Sequence, residues 1–419
     1  MIATGTIEER LRSLVGAQHI RPGRAEDVVR GVQPSFVVEP GNERELADVL
    51  RSADESGIGV IPRGGATKLS WGNPPRRADL ILSTTRLNRV IEHAWADLTV
   101  TVESGCTIQK LQETLAQHGQ RLALDALWPE RATVGGILSS NDTGALRLRF
   151  GGLRDLIIGV TLALPDGTLA SSGGKVVKNV AGYDLPKLAT GALGTLGVIT
   201  RAIFRLHPLP KSAKSFCFLA KTTEEMQDLV LAIQDSKLAH TSFQALFAGA
   251  AAPEAHILFE ATEAGLSAQA TQLRSLLGQI PAHEVPSRVW NARQELWTQG
   301  NTQATILKIT LLPADIAKTV SYIENTARSL HVSWHLVVQA TGIGWLRLEP
   351  AEGLGAMIEE LRTELRRGAG SLVVLQCPTE LQALDSWGDA GDTLSVMRAL
   401  KNQLDRHGTL NPGRFVGCI

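Results

Sequence analysis

Alternating and wholly apolar runs divide the first half of the chain into short strands. They predict strands at residues 35–39, 57–61, 79–83, 90–93, 98–102, 156–164 and 197–204. A helix predicted to begin at Asn42 separates the first two strands, and the second leads directly into a loop at Arg63. This order is typical of an α/β unit, in which ligands bind at the carboxyl ends of the strands.

The second half repeats one order of elements. Strands are predicted at residues 215–220, 241–248, 255–261, near 282, and at 304–311, 332–339, 343–349 and 371–376. Helices with apolar residues three and four positions apart separate them, the first opened by a capping box at Thr222. The order β-α-β-β-α-β therefore occurs twice. Two ferredoxin-like halves in tandem predict one antiparallel sheet covered by helices.

Together these patterns predict an α+β protein of more than one domain. A chain of 419 residues is long enough for two or three separate cores. The proline-rich stretch at Pro208 and Pro210 marks the main boundary. We expect a helical lead-in at 1–30, a first domain at 31–209, the ferredoxin-like domain at 210–378, and a helix and tail at 379–419.

Composition and charge exclude several classes of protein. Forty-two basic and 42 acidic residues cancel, so no broad electrostatic footprint for nucleic acid or an anionic membrane exists. The four cysteines are far apart and form no CxxC pair, which argues against a zinc or iron–sulfur site. We also expect no export signal and no membrane span, and a cytoplasmic location.

Glycine clusters mark the candidate chemistry. One lies at Arg63-Gly-Gly, and a second lies in the run ATVGGILSSNDTG at residues 132–144. Consecutive main-chain N–H groups in such turns form an anion-binding concavity, to which hydroxyl and amide side chains add donors. The pattern favours a pyrophosphate cradle. The alternative is a pair of glycine-rich turns that only connect strands.

Three blocks of sequence resemble the FAD-binding domain of the vanillyl-alcohol oxidase and p-cresol methylhydroxylase (PCMH-type) flavoproteins. They lie at residues 61–68, at 133–144, and at 178–188 running into 194–200. The resemblance covers roughly residues 30–207. It implies that 31–209 is a two-subdomain PCMH-type FAD-binding domain, that 210–378 is a cap, and that the tail folds back to the first domain.

The resemblance also implies the cofactor site. The residues it assigns to FAD are Pro62, Arg63, Gly64, Gly65, Ala66, Thr67, Lys68, Pro129, Thr133, Val134, Gly135, Gly136, Ser139, Ser140, Asn141, Thr143, Gly144, Gly197, Val198, Ile199 and Asn411. Two positions depart from the family pattern. Ala66 stands where a third glycine is common, and Thr67 stands where members with covalent flavin carry histidine. FAD is therefore expected to bind non-covalently.

Within the family, the short chain and its ending at residues 397–415 are most similar to the FAD-binding subunit of bacterial glycolate oxidase. That similarity implies a membrane-associated complex with a catalytic FAD subunit and an iron–sulfur subunit, acting on a small 2-hydroxy acid. The His-Gly-Asp-Gly-Asn block of catalytically competent relatives is missing, so an accessory or electron-relay role is expected.

No catalytic residue can be assigned from the sequence. His335, predicted to lie near Trp345, is a candidate base, and a packed histidine of the cap is the alternative. Two other functions stay open: a self-sufficient FAD-dependent 2-hydroxy acid dehydrogenase of the D-lactate type, and a scaffold subunit with a vestigial flavin site.

Overall fold

The computed structural model describes residues 6–175, 182–298, 300 and 303–419. Its helices are α1 Ile7–Val15, α2 Glu43–Glu55, α3 Ile108–Ala116, α4 Val134–Ser140, α5 Arg147–Phe150, α6 Leu153–Leu156, α7 Leu185–Ala189, α8 Thr223–Asp235, α9 Glu263–Leu277, α10 Ala292–Thr298, α11 Ile316–Ser329, α12 Leu354–Arg367 and α13 Leu394–Leu404.

The strands alternate with these helices. They are β1 Ile20–Pro22, β2 Phe36–Val38, β3 Val60–Arg63, β4 Leu80–Ser83, β5 Val90–Ala94, β6 Thr99–Glu103, β7 Gln120–Arg121, β8 Ile157–Ala163, β9 Leu169–Gly173, β10 Val198–Arg205, β11 His207–Pro208, β12 Ser212–Leu219, β13 Ser242–Phe247, β14 Glu254–Ala261, β15 His283–Val285, β16 Thr305–Thr310, β17 Trp334–Gln339, β18 Ile343–Leu348 and β19 Ser371–Gln376. The predicted α+β class is confirmed.

Contacts divide the chain into two compact units. The first comprises residues 1–143, 152–209 and 389–419, and the second comprises 144–151 and 210–388. The chain therefore leaves the first unit briefly at 144–151, and its tail from 389 returns to it.

The first unit is built on two sheets. One has the order β1-β2-β4-β3, with β2, β4 and β3 parallel, because α2 crosses over between β2 and β3. The other has the antiparallel order β5-β6-β10-β8-β9. Residues 20–22 form a strand rather than continuing the helical lead-in, because the chain turns at Gly16 with φ 85° and then pairs with β2.

The C-terminal tail extends the first sheet beside β3. The N–H of Val60 donates to the carbonyl of Thr409 at 2.7 Å, and the N–H of Asn411 donates to the carbonyl of Val60 at 2.9 Å. Leu410 is fully buried in the core under this sheet. The residues after Leu410 therefore lie at the carboxyl end of β3.

The second unit contains one eight-stranded antiparallel sheet of order β15-β12-β14-β13-β17-β18-β16-β19. Within each half the strands follow the ferredoxin-like order 4-1-3-2, and the halves join edge to edge through β13 and β17. Helices α8, α9, α11 and α12 cover one face over a continuous apolar core. The predicted tandem of ferredoxin-like halves is confirmed.

Candidate functional site

A cleft in the first unit brings together three segments that are far apart in the sequence. It consists of two adjoining halves, both partly open to solvent. Both halves are lined by Pro62, Arg63, Gly64, Gly136, Ser139, Leu193 and Asn411. The loop after β3, helix α4 and the segment before β10 therefore face one space, with the C-terminal tail at its edge.

The loop after β3 offers main-chain donors to this cleft. Within the described part of the chain, the N–H groups of Gly65, Ala66 and Thr67 donate to no protein acceptor. Ala66 has φ 58°, in the left-handed region. Successive N–H groups around a left-handed residue form an anion-binding concavity. This loop therefore has the donor arrangement that a pyrophosphate requires.

The glycines of this loop are explained by close approach to the protein itself. A Cβ on Gly64 would lie 2.0 Å from Thr133 Oγ1, and a Cβ on Gly65 would lie 1.7 Å from the carbonyl oxygen of Arg131. The two loops can pack together only because these side chains are missing. The glycines thus bring the first loop against the start of α4.

The second glycine block differs from the expected amide cradle, because residues 134–140 form a helix. Thr133 caps it by accepting from the N–H of Gly136 at 3.3 Å. The N–H of Val134 donates to the carbonyl of Cys106 at 2.9 Å, and that of Gly135 to the carbonyl of Ser104 at 2.7 Å. The free main-chain donors therefore lie in the first loop.

The hydroxyl groups of α4 are engaged within the helix. Ser139 and Ser140 both donate to the carbonyl of Gly136, at 3.1 and 2.7 Å. Such back-bonding is common for serine inside a helix. Each oxygen keeps acceptor capacity, and Ser139 lines both halves of the cleft.

Lys68 lies at the cleft but is paired with a buried carboxylate. Its Nζ is 3.1 Å from Asp142 Oδ2, with side-chain exposures of 7% and 1%. The ammonium also lies 5.7 Å from the ring centroid of Trp71 and 5.4 Å from that of Trp128. In this arrangement Lys68 joins the first loop to the end of α4, whereas the sequence suggested a phosphate contact.

Arg63 is likewise held by a carboxylate. Its Nη1 donates to Asp27 Oδ1 at 2.6 Å, and Arg21 Nη1 donates to Asp27 Oδ2 at 2.6 Å. Hydrogen bonds from Arg21 and Arg63, opposed by burial, hold the pKa of Asp27 well below its usual range. These ion pairs fix the side chain of Arg63, the last residue of β3 before the loop.

The tail closes the cleft through two buried side chains. Asn411 Nδ2 donates to the carbonyl of Leu193 at 2.6 Å. Arg414 donates to the carbonyls of Leu69 and Trp71 at 2.6 and 2.7 Å, and to Asn411 Oδ1 at 3.2 Å. Burial, together with the charge of Arg30, lowers the pKa of Arg414 to about 10. Arg414 lines the cleft but was not predicted to do so, although it belongs to the Asn-Pro-Gly-Arg sequence.

A buried ion pair fixes the tail against the segment before β10. Lys401 Nζ donates to the carbonyls of Thr195 and Leu410, both at 2.8 Å, and pairs with Asp405. Asp405 accepts from the N–H groups of Thr409 and Leu410, also at 2.8 Å. Burial lowers the pKa of Lys401, against the opposing effect of Asp405. The pair therefore positions both Asn411 and the loop that contains Leu193.

The remaining predicted site residues divide into two groups. Gly197, Val198 and Ile199 line one half of the cleft, together with Gly194 of the third block and with Thr84, which the sequence did not single out. Pro129, Val134, Asn141, Thr143 and Gly144 do not line either half. Val134 is fully buried in the core, and Gly144 belongs to the second unit. Residues 178–181 of the third block lie outside the described residues.

The second unit contains a polar cluster that the sequence did not reveal. His256 Nε2 lies 2.6 Å from Glu254 Oε1, and the Cys217 thiol donates to the same oxygen at 3.4 Å. Burial and the Glu254 charge raise the pKa of Cys217 to about 12, and burial lowers the pKa of His256. His335 is exposed on β17, so it is not a packed histidine of the cap.

The residues of the cleft fit an FAD molecule. The unsatisfied amides of the first loop suit its pyrophosphate. A Cβ on Gly136 would meet only Thr133 Oγ1, at 3.1 Å. The cleft therefore contains unfilled space beside α4. Thr67, a cleft residue, cannot form the covalent flavin bond that a histidine forms at this position.

Comparisons with known proteins agree with this geometry. Residues 34–173 match the family model described as an FAD binding domain. The glycolate oxidase subunit GlcD of Bacillus subtilis is 32% identical over 205 residues, 49% of this chain and 44% of that protein. D-2-hydroxyglutarate dehydrogenase of Xanthomonas citri is 25% identical over 421 aligned residues, 91% of this chain and 89% of that protein.

The fold is shared with solved flavoproteins. p-Cresol methylhydroxylase superposes with a TM-score of 0.78 over 97% of this chain and 96% of that one, at 15% identity. At that identity the likeness shows the fold alone. The alignment with GlcD spans less than half of that relative's length. In the described part of the chain, every helix is too short or too polar to cross a membrane.

The expected resemblance and its cofactor are thus confirmed. Residues 34–173 match the FAD-binding domain family, and the chain has the fold of the PCMH-type flavoproteins.

Proposed function

We propose that this chain is the FAD-binding subunit of a glycolate oxidase complex, which oxidises glycolate to glyoxylate. The observation that carries the proposal is the row of unsatisfied amides at residues 65–67, facing a cleft inside a domain related to glycolate oxidase GlcD. Its partners would be a catalytic FAD subunit and an iron–sulfur subunit. Through them a cytoplasmic chain would be held at the inner membrane.

In this proposal each segment of the cleft holds one part of FAD. The amides of Gly65, Ala66 and Thr67 would bind the pyrophosphate, and the main chain at residues 197–199 would hold the adenine side. Asn411, whose side chain is fixed by its hydrogen bond to the Leu193 carbonyl, would hold the isoalloxazine side. FAD held there would supply the redox chemistry of the electron relay, and the protein would supply its orientation and electrostatics.

One observation that supports the accessory role is that the ring of His256 in the second unit is fully engaged. Both ring nitrogens of His256 are engaged, with Glu254 at 2.6 Å and with Gln244 at 3.1 Å, and its side chain is 3% exposed. A residue that removes the proton of a substrate hydroxyl group must come within hydrogen-bond distance of that group, and His256 has no free ring nitrogen to do so. Together with the missing His-Gly-Asp-Gly-Asn block, this supports a subunit that relays electrons beside a catalytic partner.

A second candidate is a self-sufficient FAD-dependent 2-hydroxy acid dehydrogenase. It is favoured by the D-2-hydroxyglutarate dehydrogenase alignment, which runs over nearly the full length of both chains. In that case the base for the hydroxyl proton lies outside the usual block.

An anaerobic absorption spectrum separates these functions. Purified chain loaded with FAD is mixed with glycolate, D-lactate or D-2-hydroxyglutarate. The accessory role predicts no bleaching of the flavin band until the catalytic flavoprotein is added. Bleaching by the isolated chain would establish the self-sufficient dehydrogenase instead. A complex that keeps full activity with an FAD-free form of this chain would mean a scaffold.

A further inference from the structure

Four polar side chains form one row across the first ferredoxin-like half. Cys217 on β12 is paired directly with His256 on β14 and with His283 on β15, and His256 is paired directly with Gln244 on β13. Residues directly opposite each other in antiparallel strands lie on the same face of the sheet. Cys217 therefore stands between two histidines, on the face opposite the apolar core.

Glu254 brings a carboxylate to the same place. It lies two residues before His256 on β14, so it shares that face. Its Oε1 is 2.6 Å from His256 Nε2 and 3.4 Å from Cys217 Sγ, and the three potential ligand atoms all lie within 4.8 Å of one another. Around one tetrahedral zinc ion, with bonds of about 2.0–2.3 Å, ligand atoms lie roughly 3.5 Å apart. The cluster is close to that spacing.

We propose that Cys217, Glu254 and His256 bind a divalent transition metal ion of the zinc type, with His283 as the fourth ligand. A thiolate, a carboxylate and two imidazoles are a ligand set that zinc accepts. On binding, the Cys217 thiol loses its proton to solvent. The side chain of Glu254 is 42% exposed and that of His256 is 3% exposed. A metal ion from solvent can therefore reach Glu254 before it reaches the buried histidine.

Gln244 controls the tautomer of His256. Its amide nitrogen donates to the carbonyl of Val289 at 2.9 Å and also faces His256 Nδ1 at 3.1 Å. Nδ1 is therefore an acceptor in this arrangement, and the proton sits on Nε2, bonded to Glu254. For Nε2 to bind the metal, that proton must move to Nδ1, and the Gln244 amide must turn to accept it.

Cobalt(II) titration of the full-length, FAD-loaded chain tests the site. Tetrahedral Co²⁺ absorbs in the red, beyond the flavin bands, so the readout is independent of activity. We expect one bound Co²⁺ per chain, displaced by Zn²⁺. Cys217→Ser and Glu254→Gln should each weaken binding at least tenfold, and His283→Ala should weaken it less.

Two outcomes would overturn the proposal. One is wild-type protein that gives no tetrahedral Co²⁺ spectrum at a tenfold excess of metal. The other is a Cys217→Ser protein that binds Co²⁺ as tightly as the wild type. Cys418→Ser, which removes an exposed cysteine outside the cluster, is the matched control and should leave binding unchanged. Because His283 is exposed, His283→Ala keeps the test valid if a buried variant fails to fold.

Discussion

At the scale of single residues, the first loop holds an alanine in a conformation that favours glycine. Ala66 has φ 58°, and the left-handed region costs alanine about 1–2 kcal/mol. Ala66→Gly removes that cost, part of which is offset by the greater freedom of glycine in the unfolded chain. We expect the free energy of unfolding in urea to rise by about 0.5–1 kcal/mol, with FAD affinity retained.

Ala369→Gly is the matched control for this change. Ala369 has φ 59° and lies in the second unit, away from the cleft. A similar gain there would show that the effect belongs to the backbone and not to the cleft. A lower free energy of unfolding for Ala66→Gly would contradict the assigned strain.

Asp27 makes the start of the same loop sensitive to acid. Because Arg21 and Arg63 depress its folded-state pKa, its stabilisation is present above the usual aspartate pKa of about 4 and is lost as the pH falls below it. Asp27→Asn should cost about 3 kcal/mol at pH 7 and should lose less stability than the wild type on acidification. Urea unfolding at a series of pH values measures both.

Glu26→Gln is the control for the acid effect. Glu26 is exposed, and its pair with Arg24 spans 3.6 Å, so the change should cost less than about 1 kcal/mol. Equal pH profiles for the wild type and Asp27→Asn would refute the proposed role of Asp27.

At the scale of elements, the tail after α13 is the part of the cleft that depends on one ion pair. Asp405→Ala removes the partner of Lys401 and the acceptor for the N–H groups of Thr409 and Leu410. Breaking a buried pair costs about 3–5 kcal/mol. We therefore expect lower stability together with weaker FAD binding, measured by flavin fluorescence.

Asp392→Ala changes an exposed carboxylate just before α13 and should alter neither property. If the Asp405→Ala protein is destabilised but binds FAD as tightly as the wild type, the tail does not position the cofactor.

At the scale of the whole molecule, local sequence patterns predicted the helices and strands, and they predicted the ferredoxin-like sheet of the second unit. The strands and amphipathic helices of 212–376 were predictable because burial sets their periods, and the repeated β-α-β-β-α-β order implied two ferredoxin-like halves. The sequence did not predict that the two halves join through β13 and β17, because no residue pattern within a strand specifies which strand of the other half pairs with it.

The site was predictable to the level of segments but not of contacts. The sequence located the loop at Arg63, the α4 region and Asn411, which meet in the cleft. It did not reveal that the first N–H groups of α4 donate to the carbonyls of Cys106 and Ser104 and to Thr133 Oγ1, or that Lys68 pairs with Asp142. The row of Cys217, His256 and His283 was invisible, because register between strands brings together residues that are 39 and 66 positions from Cys217 in sequence.

The most direct test of the central claim is the FAD content of purified Gly136→Leu protein beside that of the wild type. A Cβ at Gly136 meets only Thr133 Oγ1, so the larger side chain should fill the cleft without striking the main chain. We expect about one acid-releasable FAD per wild-type chain, none in Gly136→Leu, unchanged circular dichroism, and normal FAD in the control Gly174→Leu, whose Cβ meets open space. A folded Gly136→Leu protein that retains full FAD would contradict the assignment of the cleft.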